Sequence, residues 1–305
     1  MSEVSFTPHT VLIATLDVLG ITQLMQRGKP EELNEIAVKI KTAFENAMTC
    51  VARRMRQRLV EGKTSVSLQE AIVDHIFKAS VRFHDFSDTI VISCDTSKVN
   101  VDAILHNIVK DMDLDSSIKM FRDAAVHFFG LQVLHSFNEL FREGYPVRGC
   151  VDAGAVYMSE KLVVGSPYVK SLRLGESLDF SGVVITDAAL EFCKQHEGAD
   201  VNGKAFHVID LHVPLKKKDG RIEYSLQKCL NRIIPGGPYA IKQFNENQDW
   251  RQLLYEKFAA NGKSMTESAL RKLANTENTI RAFIMQNKTL KNPKKDLSNE
   301  TPQHH

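Results

Sequence analysis

Two aspartates stand where carboxylate chemistry can be built. Asp17 closes the apolar run "TVLIATLD", and Asp88 sits in "FSDTIVIS", between a segment of alternating aromatic and polar residues and a β-branched run. A single turn aspartate commonly serves only its own backbone. Two carboxylates brought to one point repel each other, and a hard divalent cation with oxygen ligands is the usual resolution. Asp17 is followed by Val18, Leu19, Gly20, Ile21 and Thr22, a glycine-containing turn that leads into a helical pattern. Free N–H groups at such a helix start suit a phosphate. One segment therefore offers a metal ligand and a phosphate cradle, and the other offers a second ligand. The matching chemistry is that of two metal ions on a triphosphate, activating a sugar hydroxyl and neutralising the leaving pyrophosphate.

The surrounding elements must carry these residues to one place. The first run reads as a buried strand, and residues 79–94 as a hairpin. Residues 31–60 have the three-and-four spacing of a long amphipathic helix. Helices are expected over 99–112 and 118–143, the second rich in Phe and Leu and laid on a sheet. "YPVRGCVDAGAVYMS" is a strand with small residues that allow close packing. "KLVVGSPYVKSLRLGES" is a short strand, a turn and a helix with Pro167 in its first turn. "SGVVITDAALEFCKQHE" adds a strand and a helix, and "KAFHVIDLHVPL" and "GRIEYSLQKCL" add two strands. Residues 245–287 read as helical, and 288–305 as a polar, disordered tail. The order predicts an α+β, ferredoxin-like sandwich, a mainly antiparallel sheet with helices on one face. In that topology the first strand and the first hairpin are central neighbours, which brings Asp17 towards Asp88.

The bulk numbers exclude several classes. The 305 residues are 43% hydrophobic and 25% charged, with a formal net charge of +2. That balance argues neither for a nucleic-acid binder nor for an acidic tail protein, and the basic stretches "PLKKKDG" and "KTLKNPKK" read as solvated. The five cysteines lie far apart without a CxxC pair, which fits a reducing cytosol. No secretory leader pattern opens the sequence, and no run of about twenty apolar residues spans a membrane. The histidines show no metal spacing, and no GxSxG, HExxH, Walker loop or Rossmann glycine set occurs.

Four segments in order, "LDVLGIT", "FSDTIVIS", "VRGCVDAGAVY" and "GSPYVKSLRLGE", resemble motifs of the class III nucleotidyl cyclase catalytic domain. The resemblance covers about residues 10–190, with gaps, and is closer to the bacterial pyrimidine cyclases of the Pycsar anti-phage system. It implies a cyclase domain over 1–235, a C-terminal helical extension over 236–287 and the tail from 288. It implies Asp17 and Asp88 as ligands of two divalent ions, Mn²⁺ or Mg²⁺, with Val18 beside them as a further ligand. Leu19, Gly20, Ile21 and Thr22 match the phosphate-contacting turn. Arg173 matches the arginine that stabilises phosphate charge during cyclisation, a task suited to a permanently charged fork. In such cyclases that arginine comes from the partner subunit, so a homodimer is implied.

The family's purine-reading set is missing. His84 stands near the position of the base-reading lysine, Leu162 near that of the paired aspartate, and Val169 near that of the helper asparagine. The pattern fits a pyrimidine read by other groups, with His84, Phe86 and Arg148 as base contacts. A core aromatic for Phe86 and an ion pair for Arg148 are the plain alternatives. The expected activity is a cytoplasmic conversion of UTP, then CTP, to a 3′,5′-cyclic monophosphate and diphosphate. The resemblance implies that the product signals phage infection to a separate effector protein, with no nucleic acid or membrane as partner. A catalytically silent, cyclase-like module and a purine cyclase are the other readings.

Overall fold

The computed structural model describes residues 9–19, 29–61, 76–86, 89–99, 114–159, 162–196, 208–230, 252, 255 and 265–291. Strand β1 (His9–Val18) is apolar and β-branched, and six consecutive residues, Val11–Leu16, are buried. That burial on both faces marks a central strand. It pairs antiparallel with β3 (Thr89–Cys94) on one side and β4 (Val147–Met158) on the other. Strand β2 (Val81–Phe86) extends the sheet beyond β3 as the predicted hairpin. β5 (Val163–Val164) folds back on the end of β4. β6 (Gly182–Ile185) joins β4 in the sheet's parallel pairing among the described residues. The hairpin of β7 (Val208–Lys216) and β8 (Ile222–Leu230) completes the order β2-β3-β1-β4-β6-β8-β7.

The expected mainly antiparallel α+β sheet is therefore present. Its helices, however, cover both faces rather than one. On one face lie α1 (Pro30–Glu61), α2 (Leu114–Arg142) and α4 (Asp187–Gln195), packed on Leu12, Ala14, Leu16, Val147, Val151, Val183 and Ile185. On the other lie α3 (Ser166–Ser177) and the C-terminal α5 (Glu267–Lys291), which runs past residue 287. The physical reason is in the central strands: β1 is apolar at consecutive positions, so each of its faces needs a cover. Tyr168 of α3 packs with Val11, Ile13, Val91 and Val156, and Ile280 and Phe283 of α5 pack with Cys150, Val184, Val213 and Cys229.

Local sequence explains how the chain enters the site. Helix α2 ends at "REGYP", where Gly144 takes a left-handed φ of 93°. Gly144 N bonds Phe141 O at 3.1 Å and Tyr145 N bonds Leu140 O at 2.9 Å. This is a glycine-terminated cap with both overlapping bonds made, and it turns the chain through Pro146 into β4. The helix expected over 99–112 lies, from residue 100 on, outside the described residues.

Candidate functional site

Asp17 is the next-to-last residue of β1, and the ladder sets Thr89 against it on one side and Arg148 on the other. Facing residues of neighbouring strands project to the same side of a sheet, so Asp17 and Arg148 meet. Arg148 Nε donates to Asp17 Oδ2 at 2.6 Å, with the two side chains 19% and 14% exposed. Arg148 Nη1 donates to the carbonyl of Glu176 and, at 3.4 Å, to that of Leu178. These carbonyls end α3, where the helix has no internal donors left and a cation is favoured. One guanidinium thus ties β1, β4 and the C-terminal end of α3.

Close backbone approach makes this possible. Gly175 of α3 lies on Gly149 of β4: a Cβ added at Gly175 would stand 3.3 Å from Gly149 Cα. A Cβ added at Gly149 would stand 2.3 Å from Thr15 O and 2.8 Å from Leu16 Cδ2. The small residues read from the sequence of β4 are therefore a contact surface for both β1 and α3.

Helix α5 closes the same end. Asp179, 1% exposed, accepts from Arg271 Nε at 2.6 Å and Nη2 at 3.2 Å, and from Asn275 Nδ2 at 3.2 Å. Asn275 Nδ2 also reaches Asp179 O at 2.9 Å. Ser181 N donates to Thr276 Oγ1 at 2.9 Å, and Ser181 Oγ donates to Val147 O at 2.8 Å. Burial, then the nearby charge of Arg148, hold the half-buried Lys272 ammonium below the usual lysine range. Four residues along β4 from Arg148, Asp152 accepts from Thr186 Oγ1 at 2.6 Å, and Thr186 caps α4.

The positions named from sequence distribute as follows. Asp17 and Arg148 are brought together. Val18 is buried and follows Asp17 at the end of β1. Leu19 N donates to Pro146 O at 2.8 Å, so that amide of the turn is engaged within the protein. Gly20, Ile21, Thr22 and Asp88 lie outside the described residues. Phe86 pairs with Thr89 in the β2–β3 ladder, the register row that holds Asp17. His84, 7% exposed, pairs with Val91, which pairs with Thr15, so it occupies the Asp17 face of the sheet. Arg173 is exposed on α3, together with Val169 and Lys170, opposite the buried Pro167, Ser171 and Gly175. Leu162 is also exposed.

The sequence reading missed Asp179, Arg271, Lys272 and Asn275. "ESLDFSG" looks like an ordinary helix-ending loop, and nothing local marks its aspartate as a buried anchor.

No three metal-ligating side chains converge among the described residues. A divalent cation at this end of the sheet would take a carboxylate oxygen of Asp17 and the Val18 carbonyl, which are the hard donors such an ion prefers. Those donors fit the ion, with Arg148 as its competitor for Asp17.

No protein-family model and no curated protein matches the sequence. Solved structures of similar outline include a bacterial light-regulated adenylyl cyclase, at 12% identity over 74% of this chain and 92% of that chain, TM-score 0.37. A second structure described in the same words aligns over 84% of this chain and 58% of that chain, at 12% identity and TM-score 0.38. The catalytic core of a rhodopsin-guanylyl cyclase with converted specificity, in complex with ATPαS, aligns at 12% identity over 73% of this chain and 95% of that chain, TM-score 0.35.

Proposed function

We propose that the protein is a nucleotidyl cyclase acting on a pyrimidine nucleoside triphosphate, UTP before CTP, at a site shared by two copies of the chain. One observation carries the reading: Asp17 is the next-to-last residue of the central strand, with Thr89, the residue after Asp88, directly across the ladder. Phe86 and Thr89, the described residues nearest the second motif aspartate in sequence, therefore belong to the Asp17 end of the sheet. The four cyclase-like motifs, in order along the chain, support the same reading.

In the reaction the ribose 3′-hydroxyl gives up its proton to solvent as its oxygen attacks the α-phosphorus, the new P–O bond closes the ring, and the bond to the diphosphate breaks as that group leaves. Divalent ions held by Asp17, the Val18 carbonyl and Asp88 would supply charge neutralisation on the phosphates and a more acidic 3′-hydroxyl. Arg148 fixes the rotamer of Asp17 and holds the end of α3 against it. Arg173 faces away from its own sheet, which supports donation of its guanidinium to phosphate bound by the second chain. His84 lies on the Asp17 face and suits a hydrogen bond to a pyrimidine carbonyl. Leu162 and Val169 are apolar where purine readers carry polar groups, which supports a pyrimidine. The biological role in this reading is a diffusible cyclic nucleotide made in the cytoplasm upon phage infection and sensed by a separate effector. No described helix is long and apolar enough to cross a membrane.

A second reading, a silent nucleotide-binding module, is favoured by the Arg148–Asp17 pair, because a carboxylate already neutralised has less need of a cation. Incubation with Mn²⁺ and each of the four nucleoside triphosphates separates the two. Cyclic product from UTP or CTP alone, lost in Asp88→Ala and Asp17→Asn, supports the lead. Cyclic product from ATP or GTP overturns the pyrimidine assignment, and tight binding without turnover favours the silent module.

A further inference from the structure

The first turns of the C-terminal helix are pinned beside Asp17 by bonds that do not involve the side chain of Lys272. Thr276 Oγ1 accepts from Ser181 N and donates to Lys272 O at 2.7 Å, one turn earlier on the helix. Positions 272 and 276 share a helix face, and that face meets residue 181. Ser181 Oγ in turn lies 3.2 Å from Val147 N and 2.8 Å from Val147 O. Val147 precedes Arg148, so the helix face that carries positions 272 and 276 docks near the start of β4.

The charges there are unequal. Lys272 lies within electrostatic range of Arg148, Lys216, Asp179 and Asp17. Asp179 is taken by Arg271, which leaves, among the described residues that act on Lys272, the cations Arg148 and Lys216 and the carboxylate of Asp17. Arg148 and Lys272 are both partly buried, and cations so placed are unfavourable beside each other until an anion joins them. A flexible, strongly charged ammonium on a rigid helix is a common phosphate ligand.

We propose that Lys272, from the C-terminal helix, binds the polyphosphate chain of the nucleotide at this site. The proposal rests on the reading of the site as a nucleotide site and adds α5, an element outside the expected catalytic domain, to its machinery.

The test is calorimetric binding of inorganic tripolyphosphate to the full chain in metal-free buffer, with thermal unfolding as the check on folding. Wild type binds. Lys272→Met, which keeps the apolar stem, weakens binding about tenfold or more, and Lys272→Arg stays within a few-fold of wild type. Lys272→Gln replaces Lys272→Met should that variant be unfolded at the assay temperature. Unchanged binding in Lys272→Met, or no binding by wild type, overturns the proposal. If wild type makes cyclic product while Lys272→Met keeps both its tripolyphosphate affinity and its KM, this proposal fails and the cyclase reading stands. Lys272-dependent binding with no cyclic product from any triphosphate does the reverse.

Discussion

Arg148 and Asp17, 131 positions apart in sequence, form an ion pair with a 2.6 Å contact between Nε and Oδ2. The pair lies at the junction of β1, β4 and α3 and sets the position of the carboxylate on which the functional reading depends.

The pair is partly buried, so its removal is measurable. Asp17→Asn, Arg148→Met and the double variant form a thermodynamic cycle by urea unfolding. The expected coupling is about 1–3 kcal/mol, with Arg148→Met alone clearly destabilising because Asp17 keeps its charge. A coupling below about 0.5 kcal/mol would show the contact to be energetically idle.

The two glycines at the α3–β4 contact respond differently to one added methyl. At Gly149 the methyl meets backbone oxygen at 2.3 Å, which cannot give way without moving β1. Gly149→Ala is expected to cost about 3 kcal/mol or more. At Gly175 the overlap is milder, at 3.3 Å, and alanine gains about 1 kcal/mol of helix propensity. Gly175→Ala should therefore stay within about 1 kcal/mol of wild type. Melting temperatures in the opposite order would contradict this packing.

Asp179 and Arg271 are an asymmetric pair. The carboxylate is 1% exposed and the guanidinium side chain 41% exposed. Arg271→Ala takes the ion-pair partner from a buried charge and should cost about 2–4 kcal/mol. Adding Asp179→Asn to that variant should recover part of the loss. Chemical denaturation of the three proteins decides it, and no recovery would mean that the charge is not the cause.

His196 gives a pH dependence. It stands 3.3 Å from Asp123 and beside the ring of Phe192, and burial outweighs the carboxylate in holding its pKa below the ordinary histidine value. A depressed histidine pKa means that the unfolded chain takes up the proton first. Its stabilisation is thus present above the unfolded value, about 6.5, and is lost as pH falls through that range towards the folded value. The melting temperature of wild type should fall more between pH 7.5 and 5.5 than that of His196→Gln. Parallel curves would remove His196 as the cause.

The elements were legible because their patterns are local. The β-branched run of β1, the alternation before Asp88 and the three-and-four spacing of α1 each state their own period. Pro167 at the start of α3 was readable for the same reason. Two-sided coverage of the sheet was less visible, although the unbroken apolar run of β1 is its signature. The partners of Asp17 and Asp179 were not legible, since each pairing is decided by register and docking across a long stretch of chain. Arg271 meets Asp179 over a separation of 92 positions. Arg148 was noticed for its charge beside a glycine strand, but only the ladder reveals which acid it faces.

Asp179 has a consequence for the order of assembly. During synthesis the loop after α3 emerges with an anion that the finished protein hides from water, while Arg271 and Asn275 have yet to be made. Until those residues leave the ribosome, that end of the sheet has reason to stay open and hydrated, so the surroundings of Asp179 are finished late rather than early.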